Sequence, residues 1–449
     1  MKSRLLALLI IFSPLLGQQV SPEEIRIYLN TTSPLQPLYL GKLQCTDNSI
    51  DRNYLAELFS VLAFDLNYNG RTRVLATESE REETLKLEVF QNASWKRWGV
   101  AHIVKVEVQN KALTLSYYST QVGSAKKFSP LPLTGTLAKD RKNIHRLADA
   151  LYKTLYGKEG VASTKLLYST KQRKGDRFVS EIWCCDWDGS NAQQLTKENN
   201  LCVTPVFLPH SRLYSNDRFL YVSYSQGKSK IFLGSLSQGN GKKLIDLSGN
   251  QLLPAISPKR DKIAFICDIS GRTDLFLQEF DAETGQMGKP MQLFSYPRST
   301  QASPTFSPDG SKIAFVSDKD GSPRIYLLPA IHTEKRGNPV LLTKRNLENS
   351  CPSWSPDGKK IAFSAKTKGT RQIWIYDFDA GEEWQLTDGT GNKENPSWAP
   401  DSEHLVFNST DGHISELYLV NLSQPDVIKI SSGPGVKHYP SWGPLWGTK

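Results

Sequence analysis

From about residue 164 onward, short apolar runs alternate with clusters of Gly, Pro, Asp and Ser, and the alternation is periodic. The runs fall at 166–168, 219–222, 263–265, 313–315, 361–363 and 405–407. Each is too short for a helix and rich in Ile, Val, Leu and Phe, so each predicts a buried strand. A second series, Pro followed two residues later by an aromatic or a relative, begins at Pro205, Pro254, Pro304, Pro352, Pro396 and Pro440, at spacings of 49, 50, 48, 44 and 44 residues. Two copies are nearly one phrase: Pro304-Thr-Phe-Ser-Pro-Asp-Gly-Ser-Lys-Ile-Ala-Phe315 and Pro352-Ser-Trp-Ser-Pro-Asp-Gly-Lys-Lys-Ile-Ala-Phe363. A repeat of this length marks a propeller or a solenoid with one supersecondary unit per repeat.

Each repeat reads as a four-stranded blade. Pro-x-aromatic opens a short strand. Ser-Pro-Asp-Gly makes a tight turn, because Pro presets φ while Asp and Gly accept reversed backbone. The apolar run follows. A third strand is β-branched and aromatic, as in Gln372-Ile-Trp-Ile-Tyr, and a fourth ends in a phrase such as Gln385-Leu-Thr387. The two series are out of phase. The run at Leu166 has no Pro-x-aromatic before it, and Pro440-Ser-Trp442 has no apolar run after it. A six-bladed ring closed by the C-terminal strand accounts for the offset and leaves few free edges. An open solenoid or a pair of sandwiches needs no such offset.

Residues 18–160 lack the repeat. The stretch 25–29 alternates as a strand. Residues 51–67 predict a helix with Tyr54, Leu55, Leu58, Phe59 and Leu62 on one side, ended by Asn69-Gly70. Three alternating sets, Leu85/Leu87/Val89, Val104/Val106/Val108 and Leu113/Leu115/Tyr117, predict strands. Residues 140–156 predict a second helix with the stripe Ile144, Leu147, Ala148, Leu151 and Leu155, ended by Gly157. The expected organisation is an α/β domain at 18–160 and an all-β propeller of WD40-like repeats at 161–449. Residues 1–17 read as a secretory signal peptide: Lys2 and Arg4 precede an apolar run from Leu5 to Leu16 that is too short to span a bilayer. The mature chain is expected to be soluble and exported.

The formal charge of +10 raises the question of nucleic acid. No dense basic run or RNA-binding signature interrupts the repeats, so a solvated surface is the preferred reading and no nucleic-acid partner is expected. The six Cys fit no zinc spacing and are read as structural; Cys184 and Cys185, adjacent on a strand, should face opposite ways. No Gly-x-Ser-x-Gly elbow is present and the seven His include no His-x-x-x-His pair, which argues against a peptidase of the propeller-bearing kind. His145 reads as a packing or capping residue. Asp186-Trp-Asp-Gly189 reads as a turn in preference to a cation loop, and Asp309 and Asp357, repeating with the blades, read as structural. No catalytic residue, metal or cofactor is expected. An exported propeller hydrolase or carbohydrate-binding protein, using carboxylates at the propeller mouth, remains the alternative to an interaction scaffold.

The residues also resemble a known family. The helix phrase Ile144-His-Arg-Leu-Ala-Asp-Ala-Leu-Tyr-Lys-Thr-Leu-Tyr-Gly157, the set Phe64-Asp-Leu66 with Asn69-Gly70, and Trp95, Gly99 and Ile103, together with the Ser-Pro-Asp-Gly blades, are similar to the TolB family. These are the periplasmic propellers of the bacterial Tol-Pal envelope system. The sequence departs from the pattern where the blades at Pro205 and Pro254 lack Asp-Gly and where Ser402 follows Asp401. The resemblance implies a non-enzymatic periplasmic scaffold that supports outer-membrane integrity and cell-division constriction. It implies two partners: Pal, the peptidoglycan-associated lipoprotein that holds the scaffold peripheral to the outer membrane, and TolA. Pal would contact segments expected to be loops on one rim of the channel, just before each Pro-x-aromatic: Thr204, Leu253, Gln301, Ala302, Ser303, Asn349, Ser350, Lys393, Glu394, Asn395, Lys437, His438 and Tyr439. TolA would contact the polar segment Gln18, Gln19, Val20, Ser21, Pro22, Glu23 and Glu24.

Overall fold

The structure, a computed structural model, describes residues 34–47, 49–87, 92–212, 217–281, 285, 287–331 and 338–445. The signal peptide, the strand expected at 25–29 and the segment from Gln18 to Glu24 lie outside the described residues.

The N-terminal region is a mixed sheet between two helical layers. Its strands are β1 (Gln36–Leu40), β2 (Gln44–Cys45), β3 (Thr72–Val74), β4 (His102–Gln109), β5 (Ala112–Ser119), β6 (Ala125–Lys127) and β7 (Leu131–Pro132). The order is β3-β1-β4-β5-β6, with β2 beside β4 and β7 beside β5. β1 runs parallel to β3 and β4, whereas β4 and β5 form a hairpin turned at Asn110 and Lys111, both at positive φ, as a two-residue turn requires. Helices α1 (Arg52–Asn67) and α4 (Leu137–Tyr156) cover one face with Leu58, Leu62, Ile144 and Leu151 against Leu38, Val104 and Val106. The Asp51 carboxylate accepts the Asn53 N–H to cap α1, and Gly157, at φ 68, ends α4. On the other face Tyr39 and Ile103 pack on Leu85 and Trp95, carried by α2 (Ser79–Lys86) and α3 (Asn92–Arg97).

α2 takes up the start of the first of the three expected strands, whose last member, Val89, lies outside the described residues. Its run Ser79-Glu-Arg-Glu-Glu is a strong helix former, with Glu80 and Glu82 at the positive end of the helix dipole and Lys86 at the negative end. Three alternating leucines and valines cannot outweigh that. Leu85 is buried while Leu87 is 62% exposed, which no single strand face would produce.

The propeller has six four-stranded sheets. Its inner strands are Cys202–Phe207, Gln251–Ile256, Gln301–Phe306, Asn349–Trp354, Asn392–Trp398 and Val436–Trp442. The last pairs with Lys165–Lys174, the second strand of blade one, through Trp442↔Leu166 and Val436↔Lys171. The ring is therefore closed by the chain's C-terminal strand. Phe219, Phe265, Phe315, Phe363 and Phe407, one from each second strand after the first, are fully buried and fill the seams between blades. Cys184 and Cys185 do face opposite ways: Cys184 packs with Cys202 and Phe207, and Cys185 with the core that holds Trp187 and Trp442.

The Ser-Pro-Asp-Gly turns close on themselves. Ser307 Oγ donates to Asp309 Oδ1 at 2.5 Å and accepts the Lys312 N–H at 2.9 Å; Ser355, Asp357 and Lys360 repeat the arrangement. The Ser307 hydroxyl, with the N–H and hydroxyl of Ser311, holds the Asp309 carboxyl down at about 2. Where Asp-Gly is missing, Asp261 takes over the bond to Ser257, and Arg260 and Ser402 adopt φ 60 without the help of glycine.

The N-terminal region and the propeller share a core, in which Leu55, Leu66 and Ile144 meet Leu166, Trp187, Leu417 and Trp442. Residues Pro34–Lys449 form one compact unit. The polar ties between the two also cluster, with Arg71 on Glu403, His404 Nε2 on Tyr68 O at 2.8 Å and Arg141 on Asp188. Glu403 and Asp188 lie in turns and His404 opens a second strand, all at the end of the ring where inner strands finish. The opposite end, where the chain crosses from an outer strand to the next inner strand, takes no part in them.

Candidate partner-binding site at the channel

The inner strands line the channel, and each carries the same irregularity. The register with the second strand slips after the second or third residue, between Val203 and Val206, Leu252 and Ala255, Ala302 and Thr305, Ser350 and Ser353, Glu394 and Ser397, and His438 and Ser441. At each slip the residue before Pro stands at positive φ: Thr204, Leu253, Ser303, Cys351, Asn395 and Tyr439, between 46° and 55°. Proline has no N–H of its own to give the ladder and disfavours a right-handed helical residue before it, so the strand bulges there. Six non-glycine residues in the left-handed region constitute stored strain repeated around one ring.

The structure places the expected Pal-contact residues in three tiers and corrects one point. They lie within the inner strands rather than in loops ahead of them. Thr204, Leu253, Ser303, Asn395 and Tyr439 belong to the ring, joined by Cys351, which sequence reasoning missed. Its only signal was its place before Pro352. Ala302, Ser350, Glu394 and His438 are one position earlier and half-buried. Gln301, Asn349, Lys393 and Lys437 are a further position earlier and buried, at 5% exposure or less. Their side chains tie down the preceding crossing. Asn349 Nδ2 donates to Asn346 O at 2.9 Å, Lys393 Nζ to Thr390 O at 2.8 Å, and Lys437 Nζ to Gly433 O at 2.9 Å while pairing with the buried Glu416. Gln301 Nε2 donates to Ser299 Oγ. Gln251, also missed, does the same for its crossing.

A polar arc of the ring adjoins an aromatic pair. Cys351 Sγ meets Asn395 Oδ1 at 3.1 Å, and Asn395 Nδ2 donates to Asn408 Oδ1 at 2.8 Å. His438 and Tyr439 lie with ring centroids 5.9 Å apart. Burial, and then the Lys171 ammonium, push the His438 imidazole below its ordinary value, so it is neutral at pH 7. Burial lifts the Glu394 carboxyl, against the pull of Arg371, whose Nε is 3.4 Å away. At the other end the channel widens into a funnel of about 500 Å³ lined by the six strand prolines, by Val206, Ala255, Thr305, Ser353, Ser397 and Ser441 behind them, and by turn prolines such as Pro308.

A second polar cluster lies where α4 meets blade one. His145 donates through Nδ1 to Asp65 at 2.8 Å, and Trp187 Nε1 donates to the same carboxylate at 2.8 Å. His145 Nε2 faces Asp186 and Asp188 at 4.0 and 3.9 Å. These three residues have the spacing of a cation site. However, Arg141 and Lys165 already pair with both carboxylates. Burial lowers the His145 pKa, but Asp65, Asp188 and Asp186 override it and raise the group to about 9. Burial raises the Asp65 carboxyl against the pull of His145, and the cluster sets three carboxyl groups against three cationic side chains.

Comparison with known proteins bears on the whole chain. A family model described as the TolB beta propeller domain matches residues 152–446. A protein named TolB homolog in Protochlamydia amoebophila (strain UWE25) is 44% identical over 393 residues, 85% of this chain and 84% of the relative. Another, in Chlamydia felis (strain Fe/C-56), is 46% identical over 377 residues, 83% and 82% of the two chains. Among solved structures, the crystal structure of TolB from Acinetobacter baumannii shares the fold, with a TM-score of 0.73 at 21% identity, covering 92% of this chain and 98% of that one.

Proposed function

The chain belongs to the TolB β-propeller family, and from that premise we propose that it is a non-enzymatic periplasmic scaffold of a Tol-Pal system. Its crossing end binds the Pal lipoprotein, and the segment from Gln18 to Glu24 binds TolA. Through Pal the scaffold is held at the outer membrane, where it supports envelope integrity and constriction at division. The observation that carries the reading is the ring of six residues at positive φ. Strain of this kind persists where a rigid frame over-determines it, and it concentrates at sites of recognition. The six side chains differ from blade to blade while the flanking strands repeat, as suits a surface shaped for one partner.

His438 and Tyr439 are the anchors of this surface, half-buried aromatics beside the polar arc of Asn395 and Cys351. Gln301, Asn349, Lys393 and Lys437 act indirectly, by fixing the crossings that lead into the strands carrying the contact residues. The double variant His438→Ala, Tyr439→Ala is expected to weaken Pal binding by at least about tenfold. Unchanged affinity, with loss instead on altering the opposite-end turn at Asp309 and Gly310, would show that Pal sits on the funnel. Deleting residues 18–24 is expected to abolish TolA binding and leave Pal binding intact. The hydrolase alternative requires a pair of free carboxylates at the mouth, whereas Glu394 is engaged by Arg371. Turnover of a peptide or glycoside panel that is lost on Glu394→Gln would favour it.

A further inference from the structure

Blade one departs from its siblings in length. Its second and third strands, Lys165–Lys174 and Arg177–Asp186, have 10 residues each, against 6 in blades two to four. The closing strand pairs with it only as far as Val436↔Lys171, and the fourth strand pairs only with Trp183 and Cys184. Three further pairs, Gln172↔Val179, Arg173↔Phe178 and Lys174↔Arg177, therefore form a two-stranded ribbon with no strand on either side, about 10 Å long. It rises from the crossing end. Gln172 Nε2 reaches Pro434 O and Lys174 Nζ reaches Asn199 Oδ1 at 2.5 Å, so it touches the two crossings that flank blade one.

The ribbon is basic. Lys171, Arg173, Lys174 and Arg177 are all exposed, and Asp176 is the one acid among them. Phe178 is 59% exposed, with Lys171 Nζ 4.6 Å from its ring centroid. We propose that this ribbon is an arm that docks an acidic surface of the protein partner seated on the crossing end. The inference rests on the reading above, since it assigns the arm to the same interface. Two facts favour a protein over a bilayer. The arm is continuous with the channel mouth, Lys171 being the charge that acts on His438. It also carries a single large apolar side chain, too little to insert among lipids. Lys and Arg along both free edges discourage strand addition, which leaves side-chain recognition, with the cations steering and Phe178 anchoring.

The test uses the full mature chain and the soluble domain of the Pal-type lipoprotein, titrated at low and high salt. Arg173→Glu, Lys174→Glu, Arg177→Glu in one chain is expected to lower affinity at least about tenfold at ~50 mM salt, chiefly through the association rate. The deficit should shrink to about threefold or less at ~500 mM salt. Lys259→Glu, Lys312→Glu, Lys359→Glu makes the same charge change at the far end and should stay within about threefold of the parent. Equal losses in both variants would reduce the effect to net charge, and no loss in the first would leave the arm without a role; either overturns the inference alone. A parent chain that does not bind the lipoprotein overturns the proposed function and the arm with it. Sedimentation with phosphatidylcholine–phosphatidylglycerol vesicles that depends on the three arm residues would also overturn it, in favour of a membrane surface. Melting curves of both variants should match the parent, because the altered side chains are exposed.

Discussion

Replacing His145 by Gln isolates the joint between α4 and blade one. The imidazole is 1% exposed, and its charge balances Asp65, Asp186 and Asp188 together with Arg141 and Lys165. Gln keeps much of the volume and one donor but leaves the cluster one cation short. A folded value of about 9 against an ordinary 6.5 corresponds to about 3 kcal/mol of linked stability, close to the cost of about 3–5 kcal/mol for breaking a buried ion pair. Because the folded value is the higher one, this stability is fully present below pH 6.5 and is lost as pH rises through 9. Asp149, lifted by burial to about 6, also favours acid, but its contribution is lost between its ordinary 3.8 and 6, below the His145 window. Urea unfolding of parent and variant should therefore differ by about 3 kcal/mol at pH 6 and converge by about pH 9.5. A difference of constant size across that range would mean that His145 contributes packing rather than charge, and would refute the argument.

Two further outcomes test the ring. Trp442→Ala removes a buried indole whose Nε1 donates to Thr164 Oγ1 at 2.8 Å and should cost about 3–5 kcal/mol in urea unfolding; deleting 436–449 should cost more, and a truncated chain that melts like the full one would refute closure by this strand. Gly189→Ala places a methyl group 1.6 Å from Ile430 O at φ 83, a backbone clash that should cost at least about 2 kcal/mol, read as a lowered thermal midpoint.

The blades were legible because each repeat states its turn and its strands in local chemistry, and because the offset between Leu166 and Trp442 encodes closure directly. α1, α4, β4 and β5 were legible for the same reason: long, regular apolar periods. α2 was not, since three alternating residues spoke for a strand while helix-forming glutamates spoke for the truth. The site was half legible. Asn395 and Tyr439 could be placed at the mouth by position, but the bulge on which they sit arises from proline acting on a paired strand, which a one-dimensional pattern does not display. Lys393 and Lys437 look like surface charges in sequence. Only the fold reveals that their ammonium groups are spent on the backbone of the crossings.

The closing strand has a consequence for how the molecule is made. Thr164 and Trp442 are 278 residues apart, and a chain emerging from its N-terminus cannot bring them together until all six repeats have been made. Blades two to six contain their own four strands and can assemble in order. Blade one must wait with an unpaired edge, and the N-terminal region waits as well, because the core it shares includes Val406, Leu417 and Trp442. Pairing across so long a separation is intrinsically slow. The ring thus stays open while the later blades form, and a single late pairing, of Val436–Trp442 with Lys165–Lys174, converts it to the finished form. Chains that end early never reach that event, and their open edge and half-built core leave them exposed to proteases.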